Sequence, residues 1–200
     1  MKRGKQSCGV EILCLQTASR GGGGVDPVVE RIWAPWRAQY INDAVKNAGP
    51  DSSCFLCRGL AEDDDRNNLV AWRGAHSVVV LNRFPYNNGH LLVAPRVHRA
   101  CLHELTGPDL QEPVETIRWM IEILDRMMSP HGYNVGLNLG RAAGAGLPGH
   151  LHWHIVPRWD GDTNFMPVLG QTKVIVEGLL EFYDRLVAEI GSPHDTHLEP

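Results

Sequence analysis

Three histidines alternate with apolar residues in the segment His150-Leu151-His152-Trp153-His154-Ile155-Val156-Pro157. Side chains alternate faces along a β-strand, so the spacing predicts that the three imidazoles share one face. The residues between them would then turn toward the core: Leu151, Trp153 and Ile155. Neutral imidazole is a nucleophile toward phosphorus, and charged imidazole is a proton donor. The alternative is a row of ordinary surface histidines on an exposed strand.

The same row can hold only part of a metal site. Positions two apart on a strand lie roughly 6.6 Å apart and positions four apart roughly 13 Å, while each Zn–N bond is about 2 Å. At most two of the three rings can therefore share one ion, and at least one stays available for other chemistry.

Cys54 and Cys57 stand as C-x-x-C, a spacing that favours metal or redox chemistry in a reducing compartment. A closed zinc site needs two further ligands. The alternative is a pair of reduced, buried cysteines that act as small apolar residues.

The composition sets limits on the function. The chain has 200 residues, 43% of them apolar, and a formal net charge of -4, which argues against a nucleic-acid binder with a basic surface. No run approaches the roughly 18 apolar residues of a membrane-spanning helix. The odd count of 5 cysteines is poor evidence for a disulfide framework.

The chain is predicted to form one domain over residues 29–191. Residues 1–28 are interpreted as a flexible extension, or as residues upstream of the true start, and residues 192–200 as a C-terminal tail. A basic start followed by the mildly apolar residues 8–15 resembles a signal peptide only loosely, because Glu11 interrupts the apolar run. The predicted location is the cytoplasm, with export as the minor alternative.

Hydrophobic periodicity and turn residues predict the strands and helices that must position these residues. Strands are predicted over residues 77–82, 90–95, 133–139 and 151–157, with turn residues between the first two and a Gly/Ala-rich loop over 140–149. Residues 62–66 are interpreted as a solvated acidic loop. Two amphipathic stretches, 109–128 and 174–190, predict helices. The predicted fold class is α+β, with a mainly antiparallel sheet and two main helices.

The first of these helices carries the clearest apolar stripe. Its predicted members are Leu110, Val114, Ile117, Ile121, Leu124 and Met128. Proline is tolerated only near a first turn, so Pro113 suggests that the regular helix starts there.

The segment His-x-His-x-His followed by Ile-Val-Pro-Arg resembles the signature of the histidine-triad (HIT) superfamily of nucleotidyl transferases and hydrolases. Upstream pieces fall in the order the superfamily has them: Asn82 with Pro85, the run 89–95, His98, Asn138-Leu139-Gly140 and Ala143-Gly144. The resemblance implies a HIT-like fold. Further segments are similar to bacterial diadenosine-tetraphosphate phosphorylases, which are ATP adenylyltransferase-like: Trp33-Ala34-Pro35-Trp36-Arg37, the run 134–140, Pro157-Arg158-Trp159 and Asn164-Phe165.

The resemblance implies catalytic roles for His152, His154 and His90. His152 would attack the α-phosphorus and form a nucleotidyl-imidazole intermediate. His154 would give a charge-assisted hydrogen bond to a phosphate oxygen, and His90 would help to fix the orientation of the triad.

Substrate-binding roles are implied for Asn82 at the ribose and Asn138 near the phosphates. Gly144 and Gly146 belong to a loop whose backbone amides can approach phosphate. Gly146 departs from the superfamily pattern, since relatives often carry a hydroxyl or amide residue there.

The resemblance also implies a structural zinc ion bound by Cys54, Cys57, His98 and His150, with His103 as a possible substitute for His98. Such a site would tie the N-terminal segment to the triad strand and would leave His152 and His154 available.

The implied activity is cleavage of dinucleoside polyphosphates like diadenosine tetraphosphate, with phosphorolysis favoured. Two alternatives stay open: a HIT-type nucleotide phosphoramidase or hydrolase, and a zinc-stabilised nucleotide-binding module with little turnover. The expected partner is an adenine dinucleotide, without nucleic acid or membrane. Family habit implies a homodimer or homotetramer.

Overall fold

A computed structural model describes residues 54–162 and 175–191 of the chain, and its centre is one five-stranded antiparallel sheet. The strands are β1 (Val70–Arg73), β2 (Ser77–Leu81), β3 (Leu91–Pro95), β4 (Gly132–Leu137) and β5 (Trp153–Arg158), in the spatial order β1-β2-β3-β5-β4. The α-helices are α1 (Phe55–Ala61), α2 (Asp65–Asn68), α3 (Pro108–Met128) and α4 (Leu179–Ile190). The predicted α+β class with two main helices is confirmed.

The hairpin of β2 and β3 forms the centre of the core. Every residue of both strands is buried, and the register pairs Val79 with Val93. Because β3 also pairs with β5, the hairpin places the chain that follows β3 beside the chain that precedes β5. That neighbourhood contains the candidate site.

Helix α3 covers one face of the sheet, but with a different stripe from the predicted one. Ile117 and Leu124 are buried as expected, whereas Val114 is 52% exposed. The buried stripe also includes Pro113, Thr116, Trp119, Met120 and Ile123. The hydroxyl of Thr116 lies 3.0 Å from the hydroxyl of Ser77 in β2. The buried side of the helix therefore includes a polar contact, which a pattern of apolar residues alone does not predict.

The suggested helix start at Pro113 is wrong, because α3 begins at Pro108 and continues through Pro113. Proline costs a helix one backbone hydrogen bond, and Pro113 is a buried residue inside this helix.

Sequence periodicity missed three short elements. Helix α1 and strand β1 have 7 and 4 residues, too few for a periodic pattern. The acidic stretch 62–66, predicted to be a loop, contains the start of α2 at Asp65.

Several sequence features lie outside the described residues. They include the extension 1–28, the tryptophan segment 33–37, Asn164-Phe165 and the tail 192–200, so the proposed domain boundaries stay predictions. Within the described ranges, none of the helices has the length and apolar character needed to cross a membrane.

Candidate active site and metal centre

Cys54, Cys57, His98 and His150 converge into one group, here called the thiol cluster. Their ligand atoms all lie within 4.8 Å of one another. The Nδ1 atom of His150 lies 3.3 Å from the Cys54 sulfur, and the Nδ1 atom of His98 lies 3.2 Å from the Cys57 sulfur. All four residues predicted as metal ligands are therefore brought together.

Local structure explains how the two thiols come to face the same point. Cys54 is the N-cap of α1, and its sulfur accepts a hydrogen bond from the backbone N–H of Cys57 at 3.4 Å. The C-x-x-C spacing thus becomes one helical turn. His98 follows β3 and His150 precedes β5, and the Leu151 N–H donates to the Arg99 carbonyl at 2.7 Å to hold these two segments together.

This donor set suits a tetrahedral zinc ion. With Zn–S and Zn–N bonds of about 2.3 and 2.1 Å, tetrahedral ligand atoms are separated by roughly 3.3–3.8 Å, close to the distances found here. The Nε2–H of His150 donates to the Pro95 carbonyl at 2.8 Å, which leaves the Nδ1 lone pair toward the sulfurs. His103 is exposed in the short 3-10 helix Leu102–Glu104 and lies outside the cluster.

Burial governs the protonation of the cluster's innermost ring. His150 is fully buried, and this burial lowers the pKa of its imidazole to about 4. A neutral imidazole is the form that binds metal.

His152 lies two residues further on and has a different partner. Its Nδ1 lies 2.8 Å from the backbone carbonyl of His150, so the ring proton is on Nδ1 and the lone pair is on Nε2. The side chain is buried, and burial lowers the pKa of the ring below its ordinary value. His152 is therefore a neutral imidazole with Nε2 in the basic form.

His154 belongs to a directed chain of hydrogen bonds. The Tyr86 backbone N–H donates to Nδ1 of His90 at 3.0 Å, so the ring proton of His90 is on Nε2. That Nε2–H faces Nδ1 of His154 at 2.9 Å. The proton of a neutral His154 is consequently on Nε2.

The Nε2 atom of His154 lies 3.3 Å from the amide nitrogen of Asn138. Both atoms carry hydrogen, so the two N–H groups converge as donors. His90, His152, His154 and Asn138 are here called the imidazole group; the ring centroids of His152 and His154 are 5.0 Å apart.

Burial, together with the neighbouring His152 ring, lowers the pKa of His154 to about 4. A ring with that pKa is neutral near pH 7, so His154 offers a neutral N–H. The charge-assisted hydrogen bond predicted for His154 then takes its charge from the phosphate oxygen, and it stays a prediction.

The residues predicted to bind substrate lie in two places. Asn82 contacts His90 at 3.2 Å and accepts the Phe84 N–H through its side-chain oxygen at 2.9 Å. The Gly144 N–H donates to the Arg141 carbonyl at 3.0 Å, and Gly144 has the positive φ of 84° that glycine favours. Gly146 is half-buried in the same loop.

Sequence reasoning missed Tyr86. Its backbone orients His90, and its ring stacks on His154 with centroids 5.8 Å apart and planes 13° from parallel. Its position four residues before His90 gives no periodic signal; the turn residues around it were the only indication.

Comparisons with known proteins show which family and which relatives the chain resembles. The family model described as "HIT domain" matches residues 67–161. An AP-4-A phosphorylase of Mycobacterium tuberculosis is 40% identical over 172 residues, which cover 84% of this chain and 87% of that protein. An adenosine 5'-monophosphoramidase of Schizosaccharomyces pombe is 32% identical over 106 residues, 53% of this chain and 74% of that protein.

Among solved structures, a Zn-bound histidine triad family protein from Mycobacterium smegmatis matches with a TM-score of 0.55 and 20% identity. The match covers 70% of this chain and 94% of that chain. At this identity the likeness shows a shared fold.

Proposed function

The chain belongs to the HIT family of enzymes, and we propose that it cleaves dinucleoside polyphosphates like diadenosine tetraphosphate, with inorganic phosphate as the favoured acceptor. The observation that carries the proposal is the contact of His152 Nδ1 with the His150 carbonyl at 2.8 Å. It holds a neutral imidazole with its Nε2 lone pair directed away from the backbone, which is the form a nucleophile needs. The phosphorylase name of the 40% identical relative supports the choice of substrate and acceptor.

In the first step, Nε2 of His152 attacks the α-phosphorus and forms a P–N bond. The bond from that phosphorus to the bridging oxygen breaks, and the leaving nucleotide departs with the electron pair on its terminal oxygen. For diadenosine tetraphosphate, the enzyme then carries an adenylyl group on His152 and has released ATP.

In the second step, an oxygen of inorganic phosphate attacks the same phosphorus and the P–N bond breaks. The products are ADP and a regenerated neutral His152. Across both steps, one diadenosine tetraphosphate and one phosphate give one ADP and one ATP, so the atoms balance.

The converging N–H groups of His154 and Asn138 are the candidate stabilisers of charge in both steps. One phosphate oxygen within reach of both N–H groups would accept two hydrogen bonds. Because these donors are already in position, they need no reorganisation as negative charge develops. His90 is a positioning residue that sets the tautomer of His154, and Asn82 would position both His90 and the ribose.

Gly146 is proposed to contribute its backbone amide to the phosphates. Gly144 is a weaker candidate, because its N–H already donates to a carbonyl within the loop.

The thiol cluster is proposed to bind one structural zinc ion through two sulfurs and two imidazole nitrogens. When bound, the ion would fix α1 to the segment that carries His152. Reduced cysteines at such a site favour a reducing compartment, so we place the protein in the cytoplasm.

We also propose a homodimer, because β4 is an edge strand of the sheet within the described residues and has apolar exposure. Val135 is 45% exposed, and Leu139 just beyond the strand is 48% exposed. A second copy would cover this edge. Sedimentation that gives the mass of a single chain at micromolar concentration would contradict it.

The activity is tested by incubation with diadenosine tetraphosphate, with and without inorganic phosphate. Phosphate-dependent release of ADP and ATP is expected, and a mass shift of one adenylyl group on His152 after alkaline quench would trap the intermediate. Release of AMP without phosphate would instead indicate a hydrolase. A wild-type protein that binds nucleotide and cleaves none would overturn the proposal in favour of a binding module.

A further inference from the structure

A cavity of about 340 Å³ opens beside the imidazole group, on the side of β4. His154 and Asn138 belong to its wall, so the cavity begins where the proposed charge-stabilising donors end. The β4–β5 register sets Gly136 opposite His154 and Asn134 opposite Val156. Directly opposed residues of an antiparallel pair project from the same face, so this face forms the floor of the cavity.

The floor is open because Gly136 has no side chain. A Cβ atom built on Gly136 would meet no atom of residues 54–162 or 175–191 within 4 Å, so its side is open within the described part of the chain. The φ of Gly136 is not positive, so the backbone there suits any residue. Glycine inside a strand weakens it and often marks the close approach of a ligand.

The charge inside the cavity is balanced. The Arg158 guanidinium donates to both carboxylate oxygens of Asp162, at 2.6 and 2.8 Å, and to the Asn134 side-chain oxygen at 2.7 Å. Asp162 also accepts from the side-chain amide of Asn87 at 2.9 Å. Because the carboxylate offsets the guanidinium, the lining residues that the structure describes present no unbalanced positive charge with which to attract a phosphate chain.

The remaining walls suit a flat, neutral, hydrogen-bonding ligand. Tyr86 is 38% exposed, and Val156, on the same face as His154, adds apolar surface. Aromatic and apolar walls with a few amide groups are typical of sites for small organic ligands, which occupy about 300–1,000 Å³. A nucleobase with its ribose has this chemistry, and a base can stack on an aromatic face.

We propose that this cavity is the subsite for the nucleoside end of the leaving nucleotide. The inference rests on the proposed function and deepens it: the attacked phosphorus lies at His152, the phosphate chain passes His154 and Asn138, and the second nucleoside reaches the cavity. A substrate with a compact leaving group would occupy the triad without entering the cavity.

The test fills the cavity from its floor with Gly136→Val. Turnover is measured on diadenosine tetraphosphate and on adenosine 5'-phosphoramidate, whose leaving group is ammonia. The ratio of kcat/KM for the first substrate over the second is expected to fall by about tenfold or more, as expected when a contacting group loses its pocket. Gly136→Ala is expected to give a smaller fall in the same ratio.

Gly132→Val is the matched control. Gly132 lies on the same strand and the same face, and a Cβ there also meets nothing within 4 Å. This variant is expected to leave the ratio unchanged, and thermal unfolding and sedimentation of all variants report on folding and assembly. If Gly136→Val leaves this ratio unchanged, the subsite proposal is overturned, whether both kcat/KM values fall or neither does. A wild type that does not cleave diadenosine tetraphosphate overturns the proposed function itself.

Discussion

The thiol cluster and the imidazole group lie two residues apart along one chain segment, yet their ring nitrogens meet different partners. His150 donates through Nε2 to a carbonyl and turns Nδ1 toward two sulfurs. His152 instead uses Nδ1 at a carbonyl and keeps Nε2 for other contacts. The carbonyl that His152 contacts is that of His150, so the two groups share one peptide unit.

In both histidines, the carbonyl that accepts from one ring nitrogen fixes the tautomer, and the tautomer determines what the other ring nitrogen can bind. In the thiol cluster both imidazoles direct Nδ1 toward the cysteine sulfurs, and such a closed set of four ligands suits a structural ion. In the imidazole group the proton-bearing atoms of His154 and Asn138 lie 3.3 Å apart, so one anionic oxygen beside them could accept from both. The predictions below separate these two roles.

The largest expected effect is on chemistry at the imidazole group. Replacing His152 with alanine removes the proposed nucleophile, so kcat for diadenosine tetraphosphate should fall by about 10⁴-fold or more. Steady-state assays of ADP and ATP release measure the loss. The metal content and the unfolding midpoint should change little, because the thiol cluster keeps all four proposed ligands.

The control for this variant is His103→Ala, which alters an exposed histidine outside both groups. It should retain wild-type kcat. Activity of His152→Ala within about tenfold of wild type would assign the nucleophile to another residue.

The second prediction concerns the thiol cluster, where stability should respond more than chemistry. Cys57→Ser, or treatment with a chelator, should release the metal and lower the free energy of unfolding by about 4 kcal/mol if free zinc is about 1,000-fold above its Kd. Elemental analysis and denaturant unfolding measure both quantities. Cys101→Ser, at a buried cysteine outside the cluster, should keep the metal. An unfolding curve that is the same with and without chelator contradicts a structural ion.

Sequence reasoning succeeded where chemistry and periodicity coincide. The alternation around His152 and Trp153 predicted both a buried back and a functional face, and Leu151, Trp153 and Ile155 are indeed buried. The C-x-x-C pair predicted two ligands, but the other two came from resemblance alone. No spacing rule joins Cys54 to His150, because β-sheet pairing brings them together across 96 positions of sequence.

One failure has a polar origin, because polar contacts do not appear in hydrophobic patterns. On the buried side of α3, Thr116 contacts Ser77, and Glu112 accepts the Ser77 N–H at 2.8 Å. The elements α1 and β1 were missed for another reason, since they have too few residues for a periodic pattern.

The third prediction tests the converging donors. Asn138→Leu keeps the approximate size of the side chain and removes its N–H groups, so kcat should fall by about 100-fold, as for loss of one oxyanion donor. Asn67→Leu, at an exposed surface asparagine, is the control and should keep wild-type kcat. If KM rises while kcat is unchanged, Asn138 binds the ground state and does not stabilise developing charge.

The smallest expected effect is on the pH dependence of stability, and it distinguishes the two groups without any substrate. His154 has a pKa of about 4 in the folded protein, against about 6.5 in an unfolded chain. Between these values the unfolded state binds more protons, so the contribution of His154 to stability is present above about pH 6.5 and is lost as the pH falls toward 4. Allowing for partial exposure of the ring, the loss amounts to about 1–2 kcal/mol.

The free energy of unfolding, measured by denaturant at several pH values, should therefore fall more steeply with acid for wild type than for His154→Asn. Titration of the thiol cluster is common to both proteins and cancels in the difference. Parallel pH profiles would mean that the folded imidazole group does not hold His154 neutral.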